Sequence, residues 1–98
     1  MDMARQLKQG INTGSLVFGQ RQTSSACANG EAQLVLVAAN CPESFIDELR
    51  ISHPDVPIHQ VILVNRQLGA ACGKPIPVSA LCILDAGQSE LLHFAPNI

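Results

Sequence analysis

Met3, Leu7 and Ile11 recur four residues apart among polar neighbours, which predicts a short helix with one apolar stripe over Met3–Ile11. Gly10, Asn12, Thr13 and Gly14 break it. Leu16–Val17–Phe18 then reads as a short strand ended by Gly19. A second helix is predicted over Thr23–Ala28, opened by Gly19–Gln20–Arg21–Gln22 and stopped by Asn29–Gly30. Leu34 to Ala38 is a continuous apolar run of strand length, the pattern of a strand buried on both faces. Pro42 suits the first turn of a third helix, whose Phe45, Ile46 and Leu49 face inward, with an early acid placed for the helix dipole. Ser52–His53–Pro54–Asp55 ends it, and His53 fits the negative end of that dipole. Ile58–Val64 predicts a strand, Asn65–Cys72 a short helix stopped by Gly73 and Pro75, and Val78–Leu84 a last strand. Asp85–Ala86–Gly87 is a turn, and Leu91–Leu92 belong to a final short element.

Apolar strands alternating with helices imply an α/β fold, a three-layer α/β/α sandwich. Crossovers of this length favour largely parallel neighbours. The tightly connected first strand can pair antiparallel, so the sheet is expected to be mixed and four-stranded. At 98 residues and 47% hydrophobic, the chain fits one domain over residues 1–98 with a real core. With Phe18, Phe45 and Phe94 as its aromatics and no Trp or Tyr, that core must be mainly aliphatic. The start, MDMARQLKQG, has no apolar signal segment, and Leu34–Ala39 is too short to span a membrane.

Charge changes the picture by its distribution. The formal net charge is −2, which by itself argues against nucleic acid. Yet Met3–Gly30 holds no acid while carrying Arg5, Lys8 and Arg21, and Val56–Leu84 holds none while carrying Arg66 and Lys74. These stretches bracket an acidic middle, Glu31 to Asp55. If the fold brings them together, a modest positive face forms on a weakly acidic protein.

Most catalytic chemistry is absent from the pattern. Gly69–Ala70–Ala71–Cys72–Gly73–Lys74–Pro75 resembles a phosphate-binding loop but has three residues between its glycines instead of four, and Pro75 where a hydroxyl is needed. Cys27, Cys41, Cys72, Cys82, His53, His59 and His93 show no metal-ligand pair spacing, and no cofactor or metal is implied. Cys82 and Cys27 read as core residues; Cys41 and Cys72, at loop edges, are the two candidates for a reactive thiol, with core packing the leading reading over thiol chemistry. Gly14, Gly19, Asn40 and Gly73 mark strand–helix junctions. The helix start after Gly19 suits an anion such as RNA phosphate. Arg21 can meet a guanine edge or a phosphate, Gln20, Gln22 and Asn40 can read base edges, and Ile76, if exposed beside Lys74, can pack on an unstacked base. Ordinary turn glycines and a helix cap would look the same.

At these residues the chain resembles a family. Thr13–Gly14–Ser15–Leu16–Val17–Phe18–Gly19, Leu34 to Asn40, Leu68–Gly69–Ala70–Ala71–Cys72–Gly73–Lys74–Pro75 and Val78 to Ser89 are similar, in order, to four blocks of the large-subunit ribosomal protein family numbered thirty, eukaryotic and archaeal type. That family belongs to a kink-turn-binding superfamily shared with ribosomal protein L-seven-Ae. The resemblance spans about Met3 to Leu92. It implies a ribosomal, cytoplasmic, non-enzymatic protein that binds kink-turn-like RNA on three adjacent loops, is monomeric when free, and has ribosomal RNA and neighbouring ribosomal proteins as partners. Carried over, Phe18, Gly19 and Arg21 form the first loop, Asn40 lies in the second, and Asn65, Lys74, Ile76 and Val78 lie in or beside the third. Arg21, Asn40 and Asn65 would read sheared or flipped bases, while Ile76 and Val78 would form an apolar platform. Ser15 and Ser25 stand where basic residues are common and Gln67 where Glu is, which implies fewer phosphate contacts and a shallower salt dependence. Sister branches include standalone RNA-binding proteins and stress regulators. The alternatives are therefore a standalone kink-turn RNA-binding protein, a regulator on the same fold that contacts protein through the acidic segment Pro42–Arg50, or a small thiol enzyme centred on Cys41 or Cys72.

Overall fold

Asp2 opens the first helix, α1 (Met3–Thr13), by accepting hydrogen bonds from the Ala4 and Arg5 amides on its carboxylate. The structure, a computed structural model, describes residues 2–98. α1 runs two residues past the predicted Ile11, because the Thr13 hydroxyl, read as a breaker, donates back to Gln9 O at 2.7 Å and accepts from Gln88 N at 2.8 Å. The chain continues through β1 (Ser15–Phe18), α2 (Gln20–Ala28), β2 (Leu34–Val37), α3 (Glu43–Ser52), β3 (Ile58–Gln60), α4 (Asn65–Ala71) and β4 (Ala80–Asp85) to a 3-10 turn at Leu91–His93.

The strands form one mixed sheet in the order β1-β4-β2-β3. Its alternating faces explain the continuous apolar runs. Leu34, Leu36, Leu81 and Ile83 point to one side, under Leu7, Leu68 and Leu91. Val35, Val37, Ala80 and Cys82 point to the other, under Ala26, Cys27, Phe45, Ile46 and Leu49. This is the expected three-layer α/β/α sandwich. Each fully buried Leu or Ile contributes about 1.5–3 kcal/mol relative to exposure.

Two expectations fail. The sheet is not largely parallel: only β2 and β3 run together, and β4 is antiparallel to both β1 and β2. The connection 61–79, through α4, leaves the chain at the end of the sheet where β3 finished, so β4 enters from that end. The predicted strand Ile58–Val64 also shrinks to Ile58–Gln60. Beyond it Val61 stays bonded to β2 and buried, but Ile62 turns out, 94% exposed, as the chain bends into α4.

β3 is an edge strand, and residues 95–98 cover it. The Asn97 side chain accepts from Gln60 N at 2.6 Å and donates to Gln60 O at 2.9 Å, while Asn97 N donates to Ile58 O.

Candidate nucleic-acid interface

Strand pairing decides which loops are neighbours. Phe18 sits opposite Leu81, and Val37 sits opposite Ala80. The C-terminal ends of β1 and β2 therefore share one edge of the molecule with the N-terminal end of β4. Gly19 N donates to Ala80 O, Ala38 N to Ser79 O and Ala39 N to Leu63 O, so four loops are tied into one surface. The two acid-free stretches of the sequence do meet here.

The first loop is Phe18–Gly19 leading into α2. Gly19 has φ +96°, a conformation that favours glycine, and no side chain caps the helix. The first amide to close onto the helix is that of Thr23, to Gly19 O. Those of Gln20, Arg21 and Gln22 before it are the orphan donors of any helix start, and such a start can accept an anion with the positive dipole end behind it. Arg21 and Gln20 are exposed on this turn.

Asn40 and Asn65 hold the second loop to the third. Asn40 Oδ1 accepts from Asn65 N at 2.8 Å, and Asn40 Nδ2 donates to Asn65 Oδ1 at 3.2 Å. Asn65 O in turn accepts from Val78 N. Both carboxamides thus commit part of their hydrogen-bonding capacity to each other. Each still has an N–H, and each oxygen a lone pair, for a base edge.

The third loop starts from a Schellman cap on α4. Gly73, φ +72°, donates to Ala70 O, and Lys74 N donates to Gly69 O. Gly69 is required by close approach: a Cβ there would lie 2.1 Å from the Ile76 carbonyl oxygen. The loop then presents Lys74 and Ile76, the latter 63% exposed. Lys74 Nζ lies 4.5 Å from the centroid of the Phe18 ring, joining the first and third loops.

One predicted platform residue is corrected. Val78 is 3% exposed and belongs to the core under α4, and its backbone N–H donates to Asn65 O. It supports the loop from beneath. Arg66, counted in the expected positive face but not among the site residues, joins this loop. It lines a shallow depression of about 260 Å3 with Lys74, Pro75 and Ile76. Its signal was its place beside Asn65 in an acid-free stretch. Exposed Ile62 and Val64, read as strand, lie in the loop that Leu63 ties to Ala39.

Glu31, Asp55 and Asp85 fall at the opposite end of the sheet, next to the start of β2, the start of β3 and the end of β4. Glu43 is an exception: it opens α3 just after Asn40. The cysteines follow the leading core reading, and the two thiol candidates are buried as well. Cys41 and Cys72 are 5% and 6% exposed. Burial pushes the Cys41 thiol up, and pushes Cys72 up to about 11 against a weaker opposing pull from the Lys74 charge. Neither has the electropositive, accessible setting that makes a thiolate. Cation, helix start, paired amides and an exposed Ile form a surface suited to holding a polyanion with unstacked bases.

The profile of the Ribosomal protein L7Ae/L30e/S12e/Gadd45 family matches residues 1–93. Large ribosomal subunit protein eL30 of Methanosphaerula palustris is 41% identical over 92 residues, 94% of this chain and 95% of that one. The eL30 of Methanothrix thermoacetophila is 37% identical over 98 residues, 100% of this chain and 93% of that one. A solved structure of a protein with unknown function from Bacillus halodurans superposes with a TM-score of 0.78 at 24% identity, covering 94% of this chain and 93% of that one. At that identity the likeness speaks for the fold alone.

Proposed function

This chain belongs to the ribosomal protein L7Ae/L30e/S12e/Gadd45 family, and from that premise we propose that it is a structural constituent of the large ribosomal subunit. Its relatives carry that subunit's name and no enzymatic one. In this reading it works on the ribosome, with ribosomal RNA and neighbouring ribosomal proteins as partners, and is a monomer when free. It grips a kink-turn or kink-turn-like RNA with the loop end of its sheet.

The observation that supports this most is the convergence of Gly19–Arg21, Asn40–Asn65 and Lys74–Ile76 on one edge. The uncapped start of α2, Arg21 and Lys74 hold phosphates. Arg21, Asn40 and Asn65 meet sheared or extruded bases, and Ile76 offers an apolar surface to an unstacked one. Titration of a labelled kink-turn RNA tests the assignment. Arg21→Ala and Asn40→Ala should each weaken binding by about tenfold or more, within the range of one good base or charged contact. Unchanged affinity in both overturns the site.

A further inference from the structure

Lys74 is held at two points. Its backbone is fixed as the closing residue of the α4 Schellman cap, donating to Gly69 O at 2.9 Å. Its ammonium rests 4.5 Å from the centroid of the Phe18 ring. That ring is itself anchored. Phe18 is the last residue of β1, is half-buried, and packs with Leu16 against the core on the α1–α4 side of the sheet.

We propose that Phe18 is a positioning residue: its ring holds the Lys74 ammonium at the RNA-facing edge, and does not itself stack on a base. The proposal deepens the RNA-binding reading and rests on it. A base would have to displace Lys74 from the ring face it occupies, and the same base finds the more exposed Ile76 without that loss. An ammonium carries three N–H donors, and attraction to a ring leaves some of them pointing away from it. Ring on one side and phosphate oxygen on the other are therefore compatible. A lysine free in solvent loses much rotamer entropy when a phosphate fixes it. Lys74 has already lost part of it in the free protein, so less is lost on binding. The chain has few cations, 6 Lys and Arg in 98 residues, so placing one of them well matters more than it would in a strongly basic relative.

The test uses the full chain and a fluorescein-labelled kink-turn RNA duplex. Lys74→Met should weaken binding. Phe18→Leu, which keeps an apolar side chain without a ring face, should weaken it by about two- to fivefold, the worth of an exposed cation–π contact. Phe18→Tyr, which keeps the ring, should restore near-normal affinity. In the Lys74→Met background Phe18→Leu should add nothing. Proton NMR of the free protein gives a signature that packing alone would not move. The Lys74 ε-methylene protons should be ring-current shifted in the parent and in Phe18→Tyr, and unshifted in Phe18→Leu. If Lys74→Met weakens binding while Phe18→Leu does not, or if the two effects add, positioning is overturned and RNA binding stands. If the parent does not bind the duplex at all, the functional reading falls and the proposal falls with it.

Discussion

Gly69 and Gly73 lie four residues apart at the same helix end and are glycine for different reasons. A Cβ at Gly69 meets the Ile76 carbonyl at 2.1 Å, whereas a Cβ at Gly73 meets nothing within 4 Å but sits on a backbone at φ +72°. Gly69→Ala must push away the loop that carries Lys74 and Ile76, and should cost about 1–3 kcal/mol by overpacking. Gly73→Ala incurs only the left-handed conformation, about 1–2 kcal/mol. Urea unfolding measures both; RNA affinity, measured where each variant is folded, should fall further in Gly69→Ala. The cysteines give a second prediction. Burial raises Cys72 from 9.0 to about 11 and Cys82 to about 12. The fold thus favours the neutral thiols, and the stability this gives is complete below pH 9 and is lost as pH rises through 11 to 12. The urea midpoint should fall steadily above pH 9, and less steeply in Cys72→Ala. Iodoacetamide at neutral pH should label the native chain far more slowly than the urea-unfolded one; equal rates would contradict the burial. Residue chemistry was legible where it is local: Gly19, Asn40 and Gly73 announce their junctions. Val78 was misplaced because one strand-like residue does not reveal which face the sheet will present. Cys41 and Cys72, candidates for reactivity from their place at loop edges, show that a loop edge in sequence can be a core wall in space.

At the scale of elements, the apolar runs located the four strands, and alternation placed their side chains on two faces. Strand direction was not legible, because it depends on which end of the sheet each connection delivers the chain to. The connection through α2 carries the chain back to the far end, so β2 runs parallel to the non-adjacent β1; the connection through α4 does not. Nor was the length of β3. Val61–Val64 is apolar enough for a strand, but its residues divide between the core and solvent as the backbone turns toward Asn65. What serves the outer edge of β3 is remote in sequence: the Asn97 side chain pairs with both backbone groups of Gln60. Asn97→Ala removes those two bonds and should cost about 1 kcal/mol, the low end for two exposed bonds that water can replace. Amide exchange at Gln60 should accelerate while that at Val35 stays slow. Equal acceleration at both would mean the tail secures the whole sheet and not its edge.

At the scale of the whole molecule, the weak negative charge and the polyanion-binding reading are reconciled by where charges lie. Arg21, Arg66 and Lys74 come to the loop end, while Glu31, Asp55 and Asp85 go to the other. The segregation is already visible along the chain, in its two acid-free stretches. That these stretches meet follows from Phe18 pairing with Leu81 in β4, a contact no local pattern encodes. In the RNA-binding reading, the three cations at this end set the electrostatic share of binding. Each phosphate they neutralise releases counterions, so the logarithm of the affinity should fall against the logarithm of salt with a slope of about −2 to −3. Lys74→Met should flatten that slope by about one. Glu43, the acid nearest Asn40 in the chain, should oppose binding, so Glu43→Gln should raise affinity at low salt and lose that advantage at high salt, where the repulsion is screened. A parent slope steeper than about −5 would require more phosphate contacts than these three side chains can make. The interface would then have to reach Arg5 and Lys8 on α1, and the recognition would rest on charge more than on the shape of the three loops.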